Sequence, residues 1–196
     1  MTTIVIATGN ENKVAEIRAL VGSLDFNFKC SKDFPDMGEI EEDGKTLKDN
    51  AIKKAKTTAL KTGLWAFADD TGLEVEYLNG APGVFSARYA GEGCSYSDNN
   101  AKLLKELKGV PLELRKAVFK CVVALSSPKG DITAVEGILL GVIAQSPRGL
   151  KGFGYDSIFM VKGIDKTMAE LSAEEKNNLS HRARAIEKII PFLPLE

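Results

Sequence analysis

Several residue types and patterns are scarce in this 196-residue sequence, and each shortage excludes a class of protein. There are only 3 cysteines and no Cys-x-x-Cys pair, so neither a disulfide framework nor a zinc site is indicated, and we expect buried free thiols at Cys30, Cys94 and Cys121. No apolar run approaches the roughly 20 residues that a membrane-spanning helix needs, so we expect no membrane partner. The formal net charge of −1 gives no overall field to attract nucleic acid, so any phosphate recognition must be local.

The amino terminus lacks a targeting signal as well. Met1-Thr2-Thr3 leads directly into an apolar run, without the basic and hydrophobic segments of a secretory signal peptide. We therefore expect a cytoplasmic protein.

The residues that are present suit an α/β protein of one domain or two closely joined lobes. Residues 3–7 form a continuous apolar, β-branched run of the kind found in a central strand covered on both faces. Val14, Ile17, Leu20 and Val21 then follow at helical spacing and stop at Gly22, and a second strand is predicted around residues 26–30. The first thirty residues thus predict a strand, a polar turn, a helix and another strand.

The most informative stretch is residues 66–76, where an apolar strand runs into the adjacent carboxylates of Asp69 and Asp70. Two neighbouring anions are costly to desolvate unless they are paired or bound to a metal, so their presence points to chemistry. On an extended backbone they point to opposite faces, so at most one faces a given ligand. We expect Thr71-Gly72 to turn the chain here, and a solvated acidic turn is the alternative interpretation.

Residues 8–13, Thr-Gly-Asn-Glu-Asn-Lys, occupy the turn between the first strand and the first helix. Free backbone N–H groups and the helix dipole favour an anion at such a position, and Lys13 adds a full positive charge. The spacing is not that of a Walker phosphate-binding loop. The alternative is a capped helix start, in which Asn10 or Asn12 bonds its own backbone.

Residues 33–45 read as a loop rich in carboxylates, which either are simply solvated or complete the oxygen coordination that Mg²⁺ prefers. A long helix is predicted from Thr46 onward, with Leu47, Ala51 and Ala55 on its apolar face. Its lysines fall mostly on the other face and are predicted to be solvent-exposed: Lys48, Lys53, Lys54, Lys56 and Lys61.

The middle of the chain predicts a helix and a hairpin. Residues 97–107 read as a helix with its N-cap near Ser97. Residues 116–126 and 132–143 are β-rich and are joined by a Pro-Lys-Gly-Asp turn, which predicts a hairpin. We place this hairpin in a second lobe, away from the amino-terminal site.

The last third of the chain contains a glycine-punctuated loop and two helix starts. Residues 152–156, Gly-Phe-Gly-Tyr-Asp, offer an aromatic face and a carboxylate to a ligand, or form a tight turn with a core phenylalanine. Residues 172–175, Ser-Ala-Glu-Glu, match a capping box, and Lys176 follows. His181, the only histidine, opens or continues the final helix with Arg182. By itself, such a pair on a helix is more often solvent-exposed and without a functional role.

Five motifs in order resemble those of the inosine triphosphate pyrophosphatase family, and the resemblance spans almost the whole chain. They are Thr8-Gly-Asn-x-x-Lys13, Ala68-Asp-Asp-Thr-Gly72, Gly80-Ala-Pro-Gly83 with Ser86-Ala-Arg-Tyr89, Gly152-Phe-Gly-Tyr-Asp156 and Ser180-His-Arg182. The resemblance implies Mg²⁺-dependent hydrolysis of ITP, dITP or XTP to the monophosphate and pyrophosphate, which cleanses the nucleotide pool. It also implies a homodimer of a single α/β domain, residues 1–196, with an elongated mixed central sheet, flanking helices and two lobes around a nucleotide cleft.

The resemblance also assigns residues to roles. Asp70 is the catalytic acid, and Glu41 with Asp70 binds the metal, although Glu42 is adjacent and competes for that role. The triphosphate is assigned to Thr8, Gly9, Asn10, Glu11, Asn12 and Lys13. Thr71 stands where family members often have serine, and its hydroxyl is counted as a substrate contact. The base is assigned to Phe153, Gly154, Tyr155, Asp156, Lys176, His181 and Arg182.

The chemistry of these residues agrees with the assignment. A triphosphate carries about four negative charges, which a helix N-terminus, Lys13 and a divalent cation compensate. Asp70 can orient or deprotonate an attacking water. Donors on Lys176, His181 or Arg182 suit the 6-oxo group of hypoxanthine and xanthine, and adenine would leave them unpaired at a cost of about 1 to 3 kcal/mol per group.

Three rival interpretations use the same residues. Asp70-Thr71-Gly72 spells the aspartic-protease triplet, but it occurs once and leaves Lys13 and Lys176 without a role. A phosphoacceptor aspartate, as in receiver domains, would give a trapped acyl-phosphate instead of free pyrophosphate. A nucleotide-binding sensor would keep the pocket and lack turnover, so replacing Asp70 by asparagine would leave its output unchanged.

Overall fold

The structure is a computed structural model that describes residues 2–22 and 24–194. Its strands are β1 Thr3–Ile6, β2 Asn27–Cys30, β3 Trp65–Val75, β4 Pro82–Gly83, β5 Lys116–Ser126, β6 Ile132–Ile143 and β7 Phe159–Val161. Its α-helices are α1 Glu11–Val21, α2 Leu47–Thr62, α3 Tyr96–Glu106, α4 Ala173–Leu179 and α5 His181–Ile189. No helix among these residues has the length and apolar character needed to cross a bilayer.

The strands form one mixed sheet in the order β2-β1-β3-β5-β6-β7, with β4 paired to β3. β1 lies parallel to β2 and to β3, whereas β4 is antiparallel to β3 and β7 is antiparallel to β6. A mixed sheet with flanking helices is the predicted fold class, and it is confirmed. The bounds of β5 and β6 are also those that the sequence predicts.

The chain divides into two compact units. The first comprises Met1–Asp70, Cys121–Gly137 and Arg182–Glu196. Its core consists of apolar side chains from β1, α1, β3, β5 and α5, which include Ile4, Ile6, Ile17, Phe67, Val123 and Ile186. The β1-α1-β2 order predicted for the first thirty residues is therefore confirmed, and it supplies much of this core.

The second unit comprises Thr71–Lys120 and Ile138–His181. Its core includes Leu73, Leu103, Leu107, Phe119, Ile143 and Phe159, all of them almost completely buried.

The predicted capping box of α4 is present, because Ser172 Oγ accepts from Glu175 N and the Glu175 carboxylate accepts from Ser172 N.

Two predictions about β3 and α3 are wrong. Thr71 and Gly72 do not turn the chain, because β3 continues to Val75 and pairs with β4 at Leu73 and Glu74. Gly72 therefore lies inside the strand, where a glycine often marks a close approach of another backbone or of a ligand. α3 begins at Tyr96, one residue before the predicted start at Ser97, and Ser95 is its N-cap.

The predicted place of the β5–β6 hairpin is also wrong. Its turn lies within Cys121–Gly137, which belongs to the unit that contains the amino-terminal residues. The strands are 11 and 12 residues long. At about 3.3 Å per residue they are long enough to belong to one unit at one end and to the other unit at the other.

Candidate active site

The first of the two adjacent carboxylates in β3, Asp69, is fully buried and surrounded by cations. Its Oδ2 lies 3.1 Å from Lys13 Nζ and 3.1 Å from an Arg182 guanidinium nitrogen. Burial alone would raise the pKa of Asp69, but the charges of Lys13 and Arg182 outweigh burial and hold the pKa far below its usual value. Asp69 is therefore a permanent anion that neutralises two cations.

The second carboxylate, Asp70, points to different partners, as the alternation of a strand requires. Its Oδ1 lies 3.2 Å from Lys54 Nζ, and its Oδ2 accepts a hydrogen bond of 3.3 Å from Asn50 Nδ2. Burial raises the pKa of Asp70 and Glu42 adds to this effect, while Lys54 opposes it. A carboxylate with a raised pKa is a better proton acceptor near neutral pH.

Lys54 is the site residue that the sequence prediction missed. Instead of lying on a solvent face, it is 6% exposed, and its ammonium donates to the Asp69 backbone oxygen at 2.7 Å as well as to Asp70. Burial would lower the pKa of Lys54, but the surrounding carboxylates raise it above its usual value, so the ammonium stays charged. The helical spacing could have indicated its burial. Lys54 lies four positions after Asn50 and three after Ala51, so it shares their buried face of α2.

The acidic loop of residues 33–45 reaches this ammonium through Glu42. Glu42 Oε1 lies 2.8 Å from Lys54 Nζ, whereas Glu41 is exposed and forms no ion pair with any described residue. Asp70 and Glu42 therefore approach one point, and their carboxylate oxygens are the donors that Mg²⁺ prefers. No group of three or more His, Cys, Asp and Glu side chains within residues 2–22 and 24–194 is arranged to hold a metal. Mg²⁺ sites commonly use one or two carboxylates and complete the shell with substrate phosphates and water, so the two-carboxylate set fits this ion.

The loop of residues 8–13 is a capped helix start. Asn10 is the N-cap of α1, and its Oδ1 accepts from Asn12 N and Lys13 N. Thr8 Oγ1 in turn accepts from Asn10 N at 3.2 Å. The cap fixes the start of α1, and Lys13 leaves the first helical turn toward Asp69. Glu11, also assigned to the triphosphate, forms an exposed ion pair with Lys32.

Three of the residues assigned to the base, Phe153, Asp156 and Lys176, lie together in the second unit. Lys176 Nζ and Asp156 Oδ2 form a buried ion pair of 2.5 Å, and Phe153 N donates to the same Asp156 oxygen at 3.2 Å. Gly152 makes this approach possible, because a Cβ atom there would lie 2.0 Å from Asp156 Oδ2. Its φ of +78° also favours glycine.

The other assigned residues have separate surroundings. His181 is buried and stacks on Phe119, with ring centroids 4.6 Å apart and planes 11° apart. Tyr155 donates its hydroxyl to the Ser86 backbone oxygen at 2.9 Å, and Thr71 lies within β3. Arg182 belongs to the first unit, where it binds Asp69 and Glu16.

A cavity of about 440 Å³ lies within the second unit, between α3 and the glycine-punctuated loop. Its lining includes Phe153, Gly154 and Asp156 on the loop side and Asn100 and Leu104 on the helix side. Its volume falls within the range of small-ligand pockets.

None of the three cysteines, all of them among the described residues, forms a disulfide. Cys121 is fully buried in the first unit, and its Sγ lies 3.9 Å from Asp69 Oδ2. Cys30 and Cys94 are only half-buried, so the prediction of buried thiols holds for Cys121 alone.

The mixed sheet with flanking helices defines an α/β protein. Its candidate site is a pair of adjacent carboxylates in the buried part of β3, where Lys13 contacts one and Lys54 the other. The model of the Ham1 family matches residues 4–192, and this chain belongs to that family. It is 54% identical over 186 residues to the dITP/XTP pyrophosphatase of Geobacter sulfurreducens, covering 95% of this chain and 94% of that protein. It is 50% identical over 190 residues to the dITP/XTP pyrophosphatase of Elusimicrobium minutum, covering 95% and 96%.

A solved structure supports the same assignment. The Ham1 protein of Coxiella burnetii superposes with a TM-score of 0.89 at 42% identity over 98% of each chain. The resemblance that the five motifs indicate is thus confirmed at the level of the family and of the fold. Because the whole matched region belongs to the Ham1 family, the aspartic-protease and receiver-domain interpretations lose their support.

Proposed function

We propose that the protein hydrolyses deaminated purine nucleoside triphosphates, ITP, dITP and XTP, to the monophosphate and pyrophosphate. The observation that carries this proposal is the pair of unlike carboxylates in β3. Asp70 is a buried carboxylate of raised pKa that shares an ammonium with Glu42, and the neighbouring Asp69 holds Lys13 beside it. The relatives named dITP/XTP pyrophosphatase, at 44 to 54% identity over nearly the whole chain, support the same substrate class.

The reaction would proceed by attack of water on the α-phosphorus. Asp70 accepts a proton from the attacking water while the new P–O bond forms. The bond between the α-phosphorus and the bridging oxygen breaks, and pyrophosphate leaves with its electron pair. Lys13 and Lys54, whose ammonium groups lie on Asp69 and Asp70, provide positive charge where negative charge develops on the phosphates.

Mg²⁺ is the proposed cofactor, held by Asp70 together with a carboxylate of the acidic loop. When bound, the ion would neutralise phosphate charge and make water a stronger nucleophile. Glu42 is the better candidate for the second carboxylate, because it already meets the Lys54 ammonium that Asp70 binds. Glu41, the residue assigned by resemblance, stays the competing prediction.

Base selection is proposed to depend on the Lys176–Asp156 pair, Phe153 and His181. Asp156 holds the Lys176 ammonium in place, so this donor is oriented before any ligand arrives. A donor fixed in this way suits a 6-oxo group and is left unpaired by adenine. Arg182 remains a predicted base contact, although its observed bonds to Asp69 and Glu16 add a structural role.

A turnover panel tests the proposal against a sensor that binds nucleotide without hydrolysis. Purified protein with Mg²⁺ is given ITP, dITP, XTP, GTP and ATP, and released pyrophosphate and orthophosphate are measured separately. We expect pyrophosphate from the first three, with kcat/KM at least about a hundredfold above that for ATP. Orthophosphate alone, or ITP binding without any product, would contradict the proposal. The homodimer and the cytoplasmic location stay predictions.

A further inference from the structure

Contacts from α3 hold the base-binding loop of residues 152–156, a loop whose role rests on the proposed function. α3 approaches this loop through two residues one helical turn apart, Tyr96 and Asn100. Asn100 Nδ2 donates to the Gly154 backbone oxygen at 3.1 Å and to Ser157 Oγ at 3.3 Å. The Tyr96 ring lies 5.9 Å from the Phe153 ring, centroid to centroid, with the planes at 43°.

The start of α3 is a fixed support for these contacts. A capping box anchors its first turn, because Ser95 Oγ accepts from Asp98 N and Asp98 Oδ2 accepts from Ser95 N. Asn99, the neighbour of Asn100, contacts a different segment, where its Oδ1 accepts from Ala90 N and its Nδ2 donates to the Ala87 oxygen. The capped first turn fixes the backbone from which Tyr96 and Asn100 reach the loop.

The cavity beside the loop makes the contacts from α3 more important. Phe153 and Gly154 line the cavity, so no other side chain of the described residues packs against the loop on that side. The amide of Asn100 and the ring of Tyr96 reach the loop beside that space. A shift of about 1 Å in a residue that positions substrate is enough to lower an enzyme's rate substantially.

Asn100 also bears a cost that a purely structural residue would not. Its Oδ1 is buried and has no hydrogen-bond partner among the described residues, and such an atom is unfavourable in the folded protein. Gly154 and Ser157 are half-buried, so water can replace the bonds from Asn100. A leucine of similar size would remove the unsatisfied oxygen, so stability alone does not explain an asparagine here.

We propose that Asn100, with Tyr96, is a positioning residue for base specificity, which sets where Phe153 and its loop meet the purine. Its hydrogen bonds go to Gly154 and Ser157 and none goes to the described residues 8–13, which are assigned to the triphosphate, so its removal should alter discrimination between bases and spare the recognition of the triphosphate.

The test compares Asn100→Leu and the isosteric Asn100→Asp with Asn99→Leu, a control on the same helix that loses bonds to a different segment. Four quantities are measured: the ratio of kcat/KM for ITP to that for ATP, the inhibition constant of inorganic tripolyphosphate, the melting temperature, and amide hydrogen exchange. For both Asn100 variants we expect the ITP:ATP ratio to fall on the order of tenfold. We expect faster exchange at residues 152–157, and an inhibition constant for tripolyphosphate within about twofold of wild type. For Asn100→Leu the melting temperature should stay within about 3 °C of wild type.

Asn99→Leu should instead speed exchange at residues 87–90 and keep the ITP:ATP ratio. An unchanged ratio in both Asn100 variants would overturn the inference. So would a loss in which the tripolyphosphate constant and the melting temperature move together with the ratio, because that pattern marks general destabilisation. If wild-type protein fails to hydrolyse ITP, the proposed function fails, whereas hydrogen exchange at residues 152–157 still decides whether Asn100 holds the loop.

Discussion

Asp69 and Asp70 are adjacent in β3, yet their surroundings give the two carboxylates opposite properties. Asp69 is fully buried between Lys13 and Arg182, and its pKa is lowered. Asp70 is almost as buried, but it shares Lys54 with Glu42, a residue of an exposed loop, and its pKa is raised. Burial acts on both, so the number and sign of the charges nearby decide the difference.

The contrast separates a structural carboxylate from a chemical one. A carboxylate held by two cations gains nothing from accepting a proton, because protonation would remove the negative charge that compensates both cations. A carboxylate of raised pKa takes up a proton more readily and can exchange partners when a cation or a phosphate arrives. One strand therefore carries an anchor on one face and a candidate base on the other.

The largest effect should come from Asp70→Asn, which removes the proton acceptor and a proposed Mg²⁺ ligand. We expect kcat for ITP to fall by about 10³-fold or more, with nucleotide binding largely retained because Lys13 and Lys54 remain. Pyrophosphate release measures the first quantity, and isothermal titration calorimetry with ITP measures the second. Turnover within about tenfold of wild type would remove Asp70 from the chemistry and favour another base.

Asp69→Asn tests the other carboxylate of the pair, and its main effect should be on the stability of the folded protein. Removing this partner leaves the buried charges of Lys13 and Arg182 under-compensated, so the free energy of unfolding at pH 7 should fall by about 3 to 5 kcal/mol. Urea denaturation with circular dichroism measures it, with Asp70→Asn as the matched control of smaller effect.

The pH dependence of that loss has a definite sign. Because the pKa of Asp69 is lowered in the folded state, its contribution is complete above the unfolded-state pKa of about 3.9. It declines as pH falls below that value toward the folded-state pKa. The gap between wild type and Asp69→Asn should therefore be constant from pH 7 to about pH 5 and narrow in stronger acid; a gap that widens in acid would contradict the assignment.

The sequence predicts the two adjacent carboxylates and their opposite orientation better than it predicts their partners. Local patterns are enough to predict the α/β class, the β5 and β6 bounds and the opposite orientation of Asp69 and Asp70. They leave the helix cap open between Asn10 and Asn12, and the structure shows that it is Asn10. Lys54 was missed because lysines on an amphipathic helix are usually solvated, and only the fold shows that its face meets two carboxylates.

Two further misses have the same origin. The strand through Thr71 and Gly72 continues because neighbouring strands pair with it, and pairing between distant segments leaves no local mark on a Thr-Gly dipeptide. Glu41 and Glu42 are chemically identical, so sequence alone cannot decide which one reaches Lys54.

The two loop carboxylates provide the next test of the comparison. If Glu42 completes the Asp70 site, Glu42→Gln should raise the Mg²⁺ concentration for half-maximal activity on the order of tenfold, by loss of one charged ligand. Glu41→Gln is the matched control one position away and should leave that concentration within about twofold. The reverse ranking would return the metal role to Glu41 and mean that the loop rearranges when the cation binds.

The smallest expected effect is a shift in the titration of Asp70 itself, in protein without added metal. Glu42 raises the pKa of Asp70 and Lys54 lowers it, although burial is the largest influence. Carboxyl ¹³C chemical shifts followed against pH should therefore place the Asp70 midpoint lower in Glu42→Gln than in wild type and higher in Lys54→Met. The Asp69 resonance should stay that of a carboxylate throughout the same pH range in all three proteins, because Lys13 and Arg182 are untouched. If the midpoints move in the same direction in both variants, the charges of Lys54 and Glu42 do not set the pKa of Asp70. Burial would then be the cause of the raised pKa, and the difference between Asp69 and Asp70 would not depend on Lys54 and Glu42.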